Sequence, residues 1–323
     1  MRRRTFLKLV GGAGASLSTF PAVVGAQTPW PSKPVKMIVP FAAGGGTDSL
    51  ARYWAEKLSQ AFGQQFVVEN RGGASGTIGT EAMAKSAPDG YTLLLSSNSS
   101  TVNLPLLRKV NYDAKSLHPV VRVGDAVTGF CVHPGTGLKS MKELVDYAGA
   151  NPGKLSFGTP GPGTSGHMRM EMLAHRAGIN FLHVPYRGGA EVLNDLIAGT
   201  LQVANDPTNN PSAKAGKVHM LCVNHGTRSP DFPDAPTLTE AGYPNSDVPL
   251  WFCIWAPAGL PQHIADALHA KVTEIAKLPE TSTRLLPVGM LPVTSTHAEL
   301  LAFREAEMKA TSELIKVANI KLE

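Results

Sequence analysis

Phe41-Ala42-Ala43-Gly44-Gly45-Gly46-Thr47-Asp48 leaves a short apolar run, residues 35–41, and enters a helical pattern of Leu50, Trp54, Leu58 and Phe62. A second stretch repeats that arrangement. Gly158-Thr159-Pro160-Gly161-Pro162-Gly163-Thr164-Ser165-Gly166-His167 follows the apolar run 154–157 and enters a helix through Met168, Met172 and Leu173. A strand–glycine–helix junction leaves the first-turn N–H groups without partners, at the positive end of the helix dipole. That is an anion site. Two of them, more than a hundred residues apart, predict two α/β units facing each other across a cleft.

Around these loops the periodicity keeps alternating. Gly63 stops the first helix, and residues 66–69 read as the next strand. A third glycine-rich stretch, 72–79, precedes a short helix and the turn Pro88-Asp89-Gly90. The strand at 91–95 opens into Ser96-Ser97-Asn98-Ser99-Ser100. This β-α-β-α-β order with apolar strands predicts a parallel sheet covered on both faces. The pattern restarts near 130–132, and Ser140-Met141-Lys142-Glu143 reads as a capping box. Strands follow at 181–184, 201–204 and 217–223, with a helix near 191–198. A Pro-rich stretch, 230–249, leads to the apolar strand 250–256. A helix from Pro261 and a long terminal helix behind the box Thr296-His297-Ala298-Glu299 have no sheet of their own, so they should pack on the first unit. The chain then crosses between units twice, near 125–130 and near 247–252. Ligands of open α/β sheets sit beyond the carboxyl ends of the strands, where both glycine loops fall.

The amino terminus reads as an address. Arg3-Arg4-Thr5-Phe6-Leu7-Lys8 matches a twin-arginine export signal, followed by a Gly/Ala-rich stretch and small residues at Val24-Gly25-Ala26. Cleavage there leaves 297 residues, enough for two units. It also removes Arg2, Arg3, Arg4 and Lys8, so the formal charge falls from +5 to +1. No basic stripe interleaved with aromatics remains, and nucleic acid is excluded as a partner. Cys131, Cys222 and Cys253 lie in apolar runs without framework spacing and read as buried, unpaired thiols.

Across nearly the whole mature chain, ordered motifs resemble the Bug family, the extracytoplasmic solute receptors of tripartite tricarboxylate transporters. They are Ile38-Val39-Pro40-Phe41 with residues 44–48, Val68-Glu69-Asn70-Arg71-Gly72-Gly73-Ala74, and Pro88-Asp89-Gly90-Tyr91-Thr92-Leu93-Leu94. Glu143-Leu144, Asn151-Pro152-Gly153-Lys154-Leu155 and His183-Val184-Pro185-Tyr186-Arg187-Gly188 continue the series. Asp195-Leu196, Ala235-Pro236-Thr237-Leu238 with Glu240-Ala241-Gly242, and Ala256-Pro257-Ala258-Gly259 complete it. The resemblance implies a type II periplasmic-binding-protein fold: two α/β lobes joined by two crossing strands, with a ligand cleft between. The lobes would be residues 27–127 plus 251–323, and residues 128–250, behind a signal peptide at 1–26. It implies that residues 41–48 and 161–167 grip a small carboxylate, with Asp206 facing the far end of the ligand. Membrane transporter subunits are the implied partners of a periplasmic monomer. The chain departs from the family at Cys253, where glycine is usual, at Leu260, where threonine is common, and in the polar run Asn205-Asp206-Pro207-Thr208-Asn209-Asn210.

The candidate ligand-binding set is therefore Phe41, Ala43, Gly44, Gly45, Gly46, Thr47, Asp48, Ser97, Gly161, Gly163, Thr164, Ser165, His167 and Asp206. No catalytic residue, metal ligand or cofactor is assigned. Helix ends supply about 0.3–1 kcal/mol, and hydrogen bonds to a charged group about 1.5–3 kcal/mol each. A few of them reach micromolar binding without a buried arginine. Three other patterns bear on function. Gly161-Xaa-Gly163-Xaa-Xaa-Gly166 matches a dinucleotide fingerprint, but no acid ends the following strand to hold a ribose, and neither loop continues into Gly-Lys-Ser/Thr. Ser165 and His167 could serve an exported hydrolase, but the nucleophile-elbow pattern is missed because His167 stands at its last place. His167, His175 and His183 step by eight and do not converge on a metal. A cofactor-bearing oxidoreductase and a ligand sensor are the remaining alternatives to an uptake receptor.

Overall fold

The protein, a computed structural model, is described here over residues 30–244, 246 and 248–322. The export signal assigned to residues 1–26, and Asp247 in the second expected crossing, lie outside the described residues. The chain begins β1 (Val35–Val39), α1 (Gly46–Phe62), β2 (Phe66–Asn70), α2 (Thr77–Ala84) and β3 (Thr92–Ser97). A π-helical turn, Ser99–Asn103, runs into the short α3 (Leu104–Leu107), and β4 (His118–Ala126) follows. Next come β5 (Thr128–Val132), α4 (Met141–Ala150), β6 (Ser156–Thr159), α5 (Ser165–Ala177), β7 (Leu182–Pro185) and α6 (Gly189–Ala198). Then β8 (Val203–Ala204), α7 (Asn210–Lys214) and β9 (His219–Asn224) lead to β10 (Trp251–Ala256). The chain ends with α8 (Gln262–Ala276), α9 (Pro279–Leu285), β11 (Met290–Leu291) and α10 (His297–Val317).

These strands make two sheets, ordered β11-β4-β10-β3-β1-β2 and β7-β6-β8-β5-β9. The parallel pairing expected from the sequence holds for β1 with β2 and β3, and for β6 with β7 and β8. The sheets as wholes are mixed. β10 runs antiparallel to both β3 and β4, and β5 antiparallel to both β8 and β9. The cause is the chain path: only Val127 separates β4 from β5, so the chain passes straight from one sheet to the other. It returns through Leu250, whose carbonyl accepts the Ala126 N–H at 2.8 Å. Beside this double passage, Val127 N–H donates to the Gly289 carbonyl at 2.8 Å.

Local chemistry explains the helices that position the site. Leu50, Trp54 and Leu58 recur on one face of α1, and all three are fully buried. Gly63 ends the helix in the left-handed region at φ +66°, with its N–H on the Ser59 carbonyl. Thr296 and Glu299 form a reciprocal capping box at α10. At α4 the box is skewed: Ser140 accepts the Glu143 N–H, while the Glu143 carboxylate takes the N–H of Lys139. α8 and α10 pack on the first sheet. There Arg304 of α10 is buried, donating to the carbonyls of Leu117 and Ala114 and lying over the Trp255 ring. The core of the first sheet gathers Ile38, Leu94, Trp251, Trp255 and Leu300; that of the second gathers Phe130, Leu144, Phe157, Leu173 and Val203. Cys131, Cys222 and Cys253 are all fully buried.

Candidate functional site

The first glycine loop is fastened from behind. Gly45 stands at the N-cap of α1 in extended backbone, and no side chain caps the helix. Asp48, in the first turn, folds its carboxylate back instead. Oδ2 accepts the N–H of Gly44 at 2.9 Å and Nε of Arg52 at 2.9 Å, and Oδ1 accepts Nδ2 of Asn70 at 2.9 Å. Burial pushes this carboxyl up, but the bonds from Arg52, Gly44 and Asn70 outweigh it and hold the group below the usual aspartate value. Among the described residues nothing accepts the N–H of Gly46 or Thr47.

The second loop is fastened by hydroxyls and imidazoles. Thr164 at the N-cap of α5 does not cap it; its Oγ1 donates to the Gly161 carbonyl at 2.7 Å. Thr159 Oγ1 accepts the Gly161 N–H at 3.2 Å and pairs with Nε2 of His183 at 2.7 Å. His167 Nδ1 accepts the Gly163 N–H at 3.3 Å, and its ring lies 4.5 Å from that of His183. Gly163 sits at φ +76°, and a Cβ there would lie 2.6 Å from Leu104 Cδ2, so only glycine lets this turn approach α3. Burial, then the neighbouring His183, lowers the His167 pKa to about 3. Nε2 of His167 is 3.6 Å from Glu171 Oε1, but burial also disfavours the carboxylate charge, so the contact joins two groups whose charged forms are both penalised.

These two helix starts open on one cavity. It holds about 480 Å³ of atom-free space, its open mouth included, and is lined by Ser97 and Phe252 of the first sheet and by Pro160 and Asn205, which follow strands of the second. The whole start of α5 is buried, yet no acceptor meets the Gly166 N–H among the described residues. The helices α8 and α9 also lack side-chain caps, but their first turns, at Gln262-His263 and Pro279-Glu280, are exposed and solvated. A buried helix end with an unmet N–H is a place prepared for something else to accept that bond. Across the gap, Ser165 donates its Oγ–H to Asn98 Oδ1 at 3.0 Å, and Asn103 Nδ2 donates to Ser165 Oγ at 3.3 Å.

Of the residues selected from sequence, Phe41, Gly45, Gly46, Thr47, Ser97, Thr164, Ser165 and Asp206 line this cavity. Ala43, Gly44, Asp48, Gly161, Gly163 and His167 do not. For Asp48 the reason is its three bonds to the loop and to Asn70. For His167 it is the Gly163 bond, which turns the ring behind the loop. No hydrogen bond joins His167 to Ser165 among the described residues, so the two do not form a nucleophile–base pair. Among the described residues, no group of three His, Cys, Asp or Glu side chains could hold a metal.

The far wall holds what the sequence reading overlooked. Arg169 is 1% exposed; its Nε donates to the Val248 carbonyl at 2.8 Å and its Nη1 to Asn205 Oδ1 at 3.1 Å. A buried arginine thus stands one turn into α5, on the same face as Ser165. Asn205 lines the cavity and is 2% exposed, and its Nδ2 is buried with no partner. Asp206 beside it accepts both the N–H and the Oγ1–H of Thr208 on Oδ1, at 3.0 and 2.7 Å. Burial raises its pKa against the pull of Thr208 and Arg169. Ser99, Pro160, Gly166, Gly189, Pro207, Leu250 and Phe252 complete the lining of the cavity. Arg169 carried one signal in sequence: its i+4 spacing from Ser165.

Residues 50–320 match the model of the TctC family, the tripartite tricarboxylate transporter family receptor. The chain belongs to this family. Among curated TctC-type relatives, BugT of Bordetella pertussis is 34% identical over 325 residues, covering 98% of this chain and 99% of its own. Among solved structures, the periplasmic binding protein BugD is 34% identical with a TM-score of 0.86, over 91% of this chain and all of its own. The R. palustris protein Rpa4515, solved with adipate, is 31% identical with a TM-score of 0.87, over 90% of this chain and 99% of its own. The chain is accordingly a solute-binding receptor of the TctC type, a family of periplasmic binding proteins rather than of enzymes.

Proposed function

We propose that this TctC-type receptor captures a small carboxylate between the starts of α1 and α5 and delivers it to the membrane subunits of a tripartite tricarboxylate-type transporter. The observation that carries this reading is the pair of uncapped helix N-termini on one cavity, one of them fully buried. Hydrogen bonds from such amides to an ionised group are worth about 1.5–3 kcal/mol each. The adipate held by Rpa4515 supports the same ligand class. We assign one lobe to residues 27–127 plus 251–323 and the other to 128–250, hinged at Val127 and Leu250. Closure of the lobes over the ligand would exclude water, and the closed form would be the one the transporter reads. We assign export to the twin-arginine route on Arg3-Arg4 alone, and a monomeric state because Val67, Ile78, Leu182 and Val317, the most exposed large apolar side chains among the described residues, stand on four separate elements.

A thermal-shift screen of small carboxylates against neutral sugars tests this, since a ligand stabilises the fold that binds it. Carboxylates are expected to raise the melting temperature. Stabilisation by sugars alone would sink the proposal. Thr164→Val removes the hydroxyl bond to Gly161 and should weaken the best carboxylate without unfolding the protein; an unchanged affinity would remove this loop from the site.

A further inference from the structure

The far wall of the cavity carries a donor and an acceptor side by side, and their roles are fixed by a buried arginine. A guanidinium can only donate, so the Asn205 oxygen must face Arg169 Nη1, 3.1 Å away. The two amide hydrogens on Nδ2 then point elsewhere. Asn205 is 2% exposed, lines the cavity, and has no partner for Nδ2. A buried amide group left without a bond is costly, which marks it as a donor held for a ligand. The next residue supplies the opposite chemistry. Both bonds from Thr208 fall on Asp206 Oδ1, which leaves Oδ2 for the cavity that Asp206 lines.

We infer that the end of the ligand remote from its carboxylate is a neutral group offering an acceptor to Asn205 and a donor to Asp206, a primary carboxamide being the best match and a hydroxyl the next. This inference rests on the carboxylate reading above and narrows it. A second carboxylate would satisfy Asn205 but face the Asp206 carboxyl, so one of the two must take up a proton or the pair is repelled. An ammonium group would satisfy Asp206 but present only donors to the Asn205 amide. Arg169 is a positioning residue here: it orients Asn205.

The test compares matched ligands on the intact protein by calorimetry at neutral pH: malonamate, succinamate and glutaramate against malonate, succinate and glutarate, and 4-aminobutanoate against succinamate. The best monoamide is expected to bind at least about tenfold tighter than its dicarboxylate and than the amino acid. Asp206→Asn, which removes the charge at constant shape, should abolish or reverse the preference over the dicarboxylate. The inference is overturned if the dicarboxylate or the amino acid binds as tightly as the monoamide, or if Asp206→Asn leaves the ratio unchanged. Should none of these compounds bind while sugars do, the carboxylate reading itself fails and this one with it. Carboxylate binding without preference overturns this inference alone.

Discussion

Ser99 and Ser165 meet across the gap between the two sheets: the Ser165 N–H donates to Ser99 Oγ at 3.1 Å, and the two hydroxyls lie 3.3 Å apart. One belongs to the π-helical turn after β3 and the other opens α5. The bond therefore links the anion-facing helix start directly to the opposite wall. Ser99→Ala leaves the Ser165 amide without that acceptor, and a bond of this kind is worth about 0.5–1.5 kcal/mol net. Carboxylate affinity should fall roughly twofold to tenfold in calorimetry, with a loss in urea melts no larger than the value of that bond. An equal affinity would mean that the contact takes no part in binding.

Gly46→Ala should separate binding from stability. A Cβ on Gly46 would lie 2.9 Å from Pro207 Cγ and 3.2 Å from Met290 Cε, so the first loop would be pushed off the far wall. Alanine also favours the helix over glycine, by up to about 1 kcal/mol. The variant should melt at the same temperature or higher while binding carboxylate about tenfold more weakly. A loss of stability with binding retained would refute this account.

Asp48 should act through the loop and show it in acid. Its carboxyl is held below the unfolded value of 3.8, so the stability it confers is fully present above that value. It is lost as pH falls through the still lower folded value. Asp48→Ala leaves the exposed Gly44 N–H and the half-buried Asn70 amide without this acceptor and should cost about 0.5–1.5 kcal/mol in urea melts at neutral pH. Asp48→Asn should cost less and flatten the acid limb of the stability curve.

His167 predicts a second pH dependence, in a higher window. Its folded pKa of about 3 lies far under the ordinary 6.5, so the unfolded chain takes up a proton that the folded one refuses. Stability should then drop as pH falls from 6.5 toward 3, at up to about 1.4 kcal/mol per pH unit for one group. Glu171, raised by burial, works in the opposite sense, so the informative quantity is the difference between proteins. His167→Asn keeps an acceptor near the Gly163 N–H and should remove about one proton from the slope measured by urea denaturation. Parallel slopes in the two proteins would contradict the buried-neutral imidazole.

The strand–glycine–helix junctions were readable because everything that makes them is local: a run of apolar residues, glycines that permit the turn, and apolar spacing beyond. β4 escaped such a reading. Pro119 and Gly124 interrupt its alternation, and Pro119 is tolerated because β11 pairs only with Asp125 and Ala126, leaving that edge open. The far wall escaped for a different reason. Arg169 is buried by bonds to residues 79 and 36 positions away, and nothing in its own neighbourhood announces them. Asp48 shows the converse: a first-turn acid beside an anion loop looked like a ligand contact, and only Asn70, on the neighbouring strand, reveals it as a fastening.

β10 sits between β3 and β4, in the interior of the first sheet, although its residues lie at 251–256. The second sheet is built entirely from residues 128–224. During synthesis the order of completion is therefore inverted along the chain. The later-encoded sheet has all its strands while the earlier one still lacks β10 and β11, which leaves β3 open on one side and β4 on both. A ribosome stalled before residue 251 would display those edges to any other chain, and the hazard ends only when the last quarter of the polypeptide has emerged.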